Sequence, residues 1–144
     1  MKTGVDLAKK VAGVVLLGKN ASLLLQHRDD KPGLPYAGKW SIPSGRQEGS
    51  ESSEDCARRE LFEETNYRCK KLEPLTVISD REDTGSDYVL TIFWACYDGA
   101  QLLKCLEGQA LQFVERASAA SHPMPPFLLG VWDQALKKLN DDTP

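Results

Sequence analysis

Glu60, Glu63 and Glu64 lie close together in the chain, with Arg58 and Arg59 immediately before them. On a helix, spacings of three and four bring the three carboxylates onto neighbouring surface, with Cβ atoms roughly 5–6 Å apart. Each like-charged i,i+4 pair costs roughly a few tenths of a kcal/mol, and a carboxylate in the last turn opposes the helix dipole by about 0.3–1 kcal/mol. Penalties of that size are tolerated and glutamate is a good helix former, so a solvated acidic face is one account of the ridge. The other account is chemical. Carboxylate oxygens suit a hard divalent cation, and Mg2+ prefers such ligands while also bridging phosphates. A cation on the ridge would remove the repulsion and the conflict with the dipole together.

The elements around the ridge have clear signals. Ser52 can cap a helix with Asp55 three residues on, Glu54 and Asp55 suit its positive end, and Ala57, Leu61 and Phe62 supply apolar contacts. Asn66 tolerates the left-handed conformation that ends a helix. Upstream, "VAGVVLLG" and "SLLLQHR" flank Lys19-Asn20-Ala21 and read as a hairpin, "DDKPGLPYAG" as a loop, and "KWSI" as a short strand. "PSGRQEGSES" reads as a long polar connection to the helix. Downstream, "LTVIS", "YVLTIFWACY" and "QALQFVE" read as strands, the second apolar enough to be central, with a turn at Asp98-Gly99. "RASAAS" adds a helical turn. A last amphipathic helix has Pro126 in its first turn and a stripe of Leu128, Val131, Trp132, Ala135 and Leu139. Strands interleaved with two substantial helices imply an α/β fold, a mixed β-sheet sandwiched between helices (α/β/α).

At 144 residues, 41% hydrophobic and 27% charged, the chain is expected to form a single domain over 1–144. A net charge of -3 and a pI near 5.4 argue against an extended nucleic-acid surface, though not against a phosphorylated small molecule or the end of an RNA. Cys56, Cys69, Cys96 and Cys105 form no CxxC pair, which argues against structural zinc, and a chain this long can build its own core without disulfides, so free thiols in a reducing compartment are expected. The apolar run after Lys9-Lys10 is broken by Lys19-Asn20, and no run reaches the ~18 residues of a membrane span. A soluble, cytoplasmic protein with no membrane partner is expected, either a monomer or a homodimer.

The stretch "GRQEGSESSEDCARRELFEETNY" resembles the Nudix box, G-x5-E-x7-R-E-U-x-E-E-x-G-U, where U is a bulky apolar residue. Gly45, Glu51, Arg59, Glu60, Leu61, Glu63 and Glu64 match it. At ordinary residue frequencies such a coincidence is on the order of 10⁻⁸ per starting position. Asn66 stands in place of the glycine and Tyr67 in place of an aliphatic residue, and neither change touches a carboxylate. "WSIPSG" resembles the strand and loop that enter the box, and the order of elements fits almost the whole chain.

The resemblance implies the Nudix fold and a Mg2+-dependent pyrophosphohydrolase, with Mn2+ as a substitute metal. Glu60 and Glu64 are then the principal ligands, Glu63 a further one, and Glu60 also the candidate base. Arg59 orients a carboxylate, and Glu51 and Gly45 support the loop and helix. The carbonyl of Ser44 matches a ligating position, and Glu107 in "LEGQ" looks like the separate loop acid of MutT-type members. Arg28 and Arg46 are candidate phosphate contacts. Tyr36 is a candidate for stacking on a base, Trp40 and Phe127 for stacking or core, and His27 and His122 are bystanders. Phe127 and Leu128 follow Pro125-Pro126, where a MutT-type reader of oxidised guanine carries asparagine. The expected substrate is a nucleoside 5′-triphosphate, cleaved to monophosphate and pyrophosphate. The same chemistry serves a 5′-triphosphate end of RNA. A nucleoside-diphosphate-sugar or ADP-ribose hydrolase is a further alternative, as is a catalytically silent nucleotide-binding module, although such modules tend to lose box carboxylates that are all present here.

Overall fold

The computed structural model describes residues 8–141. The expected domain span also takes in 1–7 and 142–144, which lie outside the described residues. Seven strands build one mixed sheet: β1 (Lys9–Leu17), β2 (Leu23–His27), β3 (Trp40–Ser41), β4 (Ser44–Arg46), β5 (Glu73–Arg81), β6 (Asp87–Cys96) and β7 (Ala110–Val114). Among the described residues two helices, α1 (Ser53–Thr65) and α2 (Leu128–Asp141), accompany them, with 3-10 turns at Lys19–Ala21 and Arg116–Ser121.

β1 and β6 run parallel over the whole of β1, and β5 closes the far edge of β6 antiparallel. The expected hairpin of β1 and β2 forms, but its arms diverge after the pair Leu17 and Leu23. The chain from Trp40 to Arg46 fills the wedge: β3 pairs with the end of β2, and β4 pairs with β1 through Val11–Arg46 and Gly13–Ser44. This corrects the sequence expectation, which took residues 43–52 as connection only. Three residues without alternation carry no strand signal by themselves, and β4 exists because β1 offers it an open edge. Gly13 permits the approach, since a Cβ there would lie 2.9 Å from the Cβ of Ser44.

β1 is buried on both faces, as expected of a strand inside a layered α/β sheet. Ala12, Val14 and Leu16 pack with Ala57 and Leu61 of α1, whereas Val15 and Leu17 pack with Leu128, Val131 and Trp132 of α2. The sheet is therefore covered on both sides, as the element pattern implied. Pro126 departs from expectation: it precedes α2, whose first backbone bond runs from Val131 N–H to the Phe127 carbonyl. No helix among the described residues is long and apolar enough to cross a membrane.

Candidate active site

Both ends of α1 are set by local chemistry. The Ser52 side chain accepts from the Asp55 N–H at 3.0 Å, and Asn66 stops the helix at φ 67 with its N–H on the Phe62 carbonyl. Cys56, Ala57, Leu61 and Thr65 face the sheet, and Glu64 is buried with them at 1% exposure. The three box glutamates thus share spacing but not environment. Glu64 points into the sheet, Glu60 stands half-buried at its edge, and Glu63 turns outward with its side chain 55% exposed.

Glu60 lies directly against Gly45 of β4. A Cβ at Gly45 would fall 2.1 Å from the Glu60 Cδ and within 2.4 Å of both carboxylate oxygens. Glycine is required here by space, because Gly45 is not among the positive-φ residues. Arg59 fixes the surroundings through its fork: Nε donates to Glu51 Oε2 at 2.7 Å, one terminal nitrogen to Glu51 Oε1 at 2.9 Å and to the Arg46 carbonyl at 3.0 Å, and the other to Glu60 Oε1 at 2.9 Å and Glu63 Oε2 at 3.2 Å. Glu51 also accepts from the Glu48 N–H at 3.1 Å. The Arg59 guanidinium holds the Glu51 carboxyl down to about 2. Beneath this network the Cys56 thiol, donating toward the Gly45 carbonyl at 3.5 Å, is pushed up to about 12 by burial.

Among the described residues the Glu64 carboxyl is bonded by the Gln26 side-chain amide of β2, which donates to Oε1 at 3.0 Å. Its Oε2 is buried without a hydrogen-bond partner among the described residues. Burial first, and then the nearby carboxyls of Glu107 and Glu60, push the Glu64 carboxyl up to about 10. The Glu107 carboxyl is close enough to perturb Glu64 without being aligned to bond Oε2. Burial also raises Glu60, against the pull of Arg59 and with Glu63 and Glu107 adding to the rise. Each carboxylate opposes the ionisation of the next, a strain that a divalent cation would relieve.

Glu107 reaches this corner from the loop before β7. Gly108, at φ 83, lets that loop lie against β2, where a Cβ would be 2.6 Å from the His27 carbonyl. The Gln26 amide donates to the Glu107 carbonyl as well, at 3.3 Å, so one side chain ties the loop to α1. Sequence reasoning passed over Gln26. The available signal was a polar residue inside the apolar run "LLLQHR", since a buried amide needs partners.

A cleft of about 390 Å³ opens over these groups, lined by Glu60, Glu107, Ser44, Gly45 and Arg28 among others. Arg28, Ser44 and Gly45 also line an adjoining cavity of about 240 Å³ that includes Tyr36, Arg46 and Phe127. The expected phosphate and base contacts therefore meet along one continuous depression. Arg28 is steadied by its Nε bond to the Pro35 carbonyl at 2.8 Å, and Tyr36 meets Phe127 edge-on with centroids 6.4 Å apart. Trp40 does not join them, because His27 stacks on it at 4.5 Å and His122 meets its edge at 5.1 Å. Both histidines thus serve to hold Trp40.

The donor set fits a hard cation: the Glu60, Glu64 and Glu107 carboxylates and the Ser44 carbonyl all offer oxygen, and one Glu64 oxygen is buried without a hydrogen-bond partner among the described residues. Among the described residues no three acidic, histidine or cysteine side chains are already gathered as ligands. Glu60 and Glu63 instead lean on Arg59, the positive charge at hand.

The NUDIX domain family matches the chain over residues 7–131. A protein of Bacillus subtilis (strain 168), provisionally named an 8-oxo-dGTP diphosphatase, is 39% identical over 56 residues, which is 39% of this chain and 34% of that protein's length. Solved structures share the fold: a MutT protein from Methanosarcina mazei Go1 (TM-score 0.77, 16% identity, 94% of this chain and 96% of that one) and the NUDIX domain of Shewanella oneidensis NrtR bound to ADP ribose (TM-score 0.79, 20% identity, 96% and 90%). A Caenorhabditis elegans Ap4A hydrolase has a TM-score of 0.77 at 19% identity, over 93% and 99%.

Proposed function

The chain belongs to the NUDIX domain family, and on that premise we propose that it hydrolyses a nucleoside 5′-triphosphate to the monophosphate and pyrophosphate. The observation that carries this reading is the continuity of the depression: a carboxylate corner at one end, an aromatic cavity at the other, and Arg28 lining both. Phosphates and base have separate, chemically matched places. The provisional name of the Bacillus subtilis relative supports a triphosphate over a dinucleotide or nucleotide sugar.

Glu60, Glu64, Glu107 and the Ser44 carbonyl would hold Mg2+, or Mn2+ in its place, with Glu63 able to join only by leaving Arg59. When bound, the ion neutralises charge on the phosphoryl oxygens, the main demand of this chemistry. The chain's own residues do the rest. Arg28 and Arg46 draw in phosphate oxygens by charge-assisted hydrogen bonds. Glu60, held by Arg59, accepts a proton from the attacking water as the new P–O bond forms, and the bond between the α and β phosphates breaks. Gln26 keeps Glu64 and the Glu107 loop in register, and Tyr36 with Phe127 holds the base.

Incubating the protein with a nucleoside triphosphate panel and Mg2+, and measuring monophosphate and pyrophosphate, tests the reading. Pyrophosphate release that Glu60→Gln abolishes while nucleotide still binds is the expected result. A parallel arm with short 5′-triphosphorylated RNA separates free nucleotide from an RNA end, and a strong preference for RNA would move the assignment there. No cleavage of any member with Mg2+ or Mn2+ would overturn the proposal.

A further inference from the structure

The aromatic cavity has a polar end that the hydrolytic reading leaves without a task. Odd positions of β1 and even positions of β6 face this cavity: Val11 and Leu90 form apolar wall, and Lys9 and Tyr88, paired in register, stand beyond them with Glu82. Gly13 is opposite Ser44 at the carboxylate corner, so Lys9 lies four strand residues away, roughly 13 Å. That span places Lys9, Glu82 and Tyr88 where the far edge of a base arrives when its phosphates sit at the corner.

Glu82 has a side chain only 8% exposed, and Oε1 accepts both from Lys9 Nζ and from Thr84 Oγ1 at 2.9 Å. Nearby, the Tyr88 hydroxyl is buried and, among the described residues, without a partner in hydrogen-bond geometry, although it lies close enough to the Tyr36 hydroxyl to perturb it. A buried ion pair contributes little to stability unless its remaining polar atoms are satisfied. One unpartnered hydroxyl beside a nearly buried carboxylate, at one end of an apolar slot, makes a polar end able to take a donor from outside the protein.

We propose that Glu82, oriented by Lys9, reads the base of the bound nucleotide and selects guanine. The inference rests on the nucleotide reading above. A carboxylate is an acceptor only, and Lys9 beside it is a donor only. Guanine alone among the common bases presents two adjacent N–H donors, at N1 and the 2-amino group, next to an acceptor at O6. Glu82 takes the donors and Lys9 the acceptor, while Tyr36 and Phe127 border the ring. Adenine offers a single donor group on that edge and leaves one carboxylate contact unmade.

The test is calorimetric binding of GMP, IMP and AMP to the full-length protein, with steady-state hydrolysis of GTP, ITP and ATP alongside. GMP binds the wild type more tightly than AMP, with IMP between them. Glu82→Gln raises the GMP dissociation constant and the KM for GTP roughly tenfold to a hundredfold, the size of one lost charged hydrogen bond, while kcat and the AMP constant hold. Equal binding of GMP and AMP by the wild type, or no GMP binding at all, overturns the inference whether or not Glu82→Gln folds. So does a loss in Glu82→Gln that is the same for all three bases. Guanine-selective binding without hydrolysis of any triphosphate would sink the hydrolase reading and leave this one standing.

Discussion

Replacing Gly45 by alanine isolates the position of one carboxylate. The three atoms nearest to the new Cβ are all in the Glu60 carboxylate, at 2.1, 2.3 and 2.4 Å. Carbon atoms settle at about 3.5–4.0 Å, so the carboxylate must retreat by roughly 1.5 Å. Gly45 is not among the positive-φ residues, so the methyl adds no backbone strain, and what moves is the free end of a side chain. The main structural loss is the Arg59–Glu60 contact, whose two side chains are 23% and 15% exposed, worth about 1 kcal/mol or a few degrees in Tm. Catalysis is far less forgiving: a 1 Å misplacement of a reacting group costs about 10²-fold, or about 2.7 kcal/mol of barrier. Gly45→Ala should therefore melt within about 5 °C of the wild type and release pyrophosphate from GTP with kcat/KM down by about 10². Measuring both on one preparation is decisive. Wild-type kcat/KM would refute the placement of Glu60 in the reaction, and collapse of the fold would show that Gly45 serves packing alone.

Three further outcomes follow from the same geometry. The Glu64 carboxyl is raised from 4.5 to about 10 in the folded protein, so the folded state holds its proton more tightly, and the associated stability is full below pH 4.5 and lost as pH rises toward 10. In EDTA at pH 8, Glu64→Gln should melt above the wild type, with the gain vanishing near pH 4 and activity lost. A lower Tm at pH 8 would contradict this. Glu51 is lowered to about 2 by Arg59, so its contribution is full above pH 4.5 and disappears as pH falls toward 2; acid melts of Glu51→Gln and wild type should converge over that window. Arg59→Lys cannot grip Glu51 with two N–H groups while also holding Glu60, and kcat should fall roughly 10- to 100-fold with KM little changed, measured by pyrophosphate release.

What could be read from the chain alone was what depends on near neighbours in sequence. The Ser52 cap, the stop at Asn66, the turn at Asp98-Gly99 and the strand at "QALQFVE" are each decided within a few residues, and each stands where expected. The box carboxylates were equally legible, because their spacing is a local property. Which of them faces what was not. Spacing along a helix fixes angles between side chains, but the rotation of α1 against the sheet is set by where Ala57 and Leu61 bury, and that rotation drives Glu64 inward and leaves Glu63 in solvent. β4 escaped for the same reason, being a strand only because β1 diverges from β2 and leaves an edge to pair. Gln26, Lys9, Glu82 and Tyr88 come from strands and a loop far apart in sequence, and only sheet register brings them to the cleft. Sequence determined the chemistry available, since residue type and short-range spacing are written in it. Tertiary structure decided which groups are desolvated and which are left without partners, because burial is a property of the assembled layers.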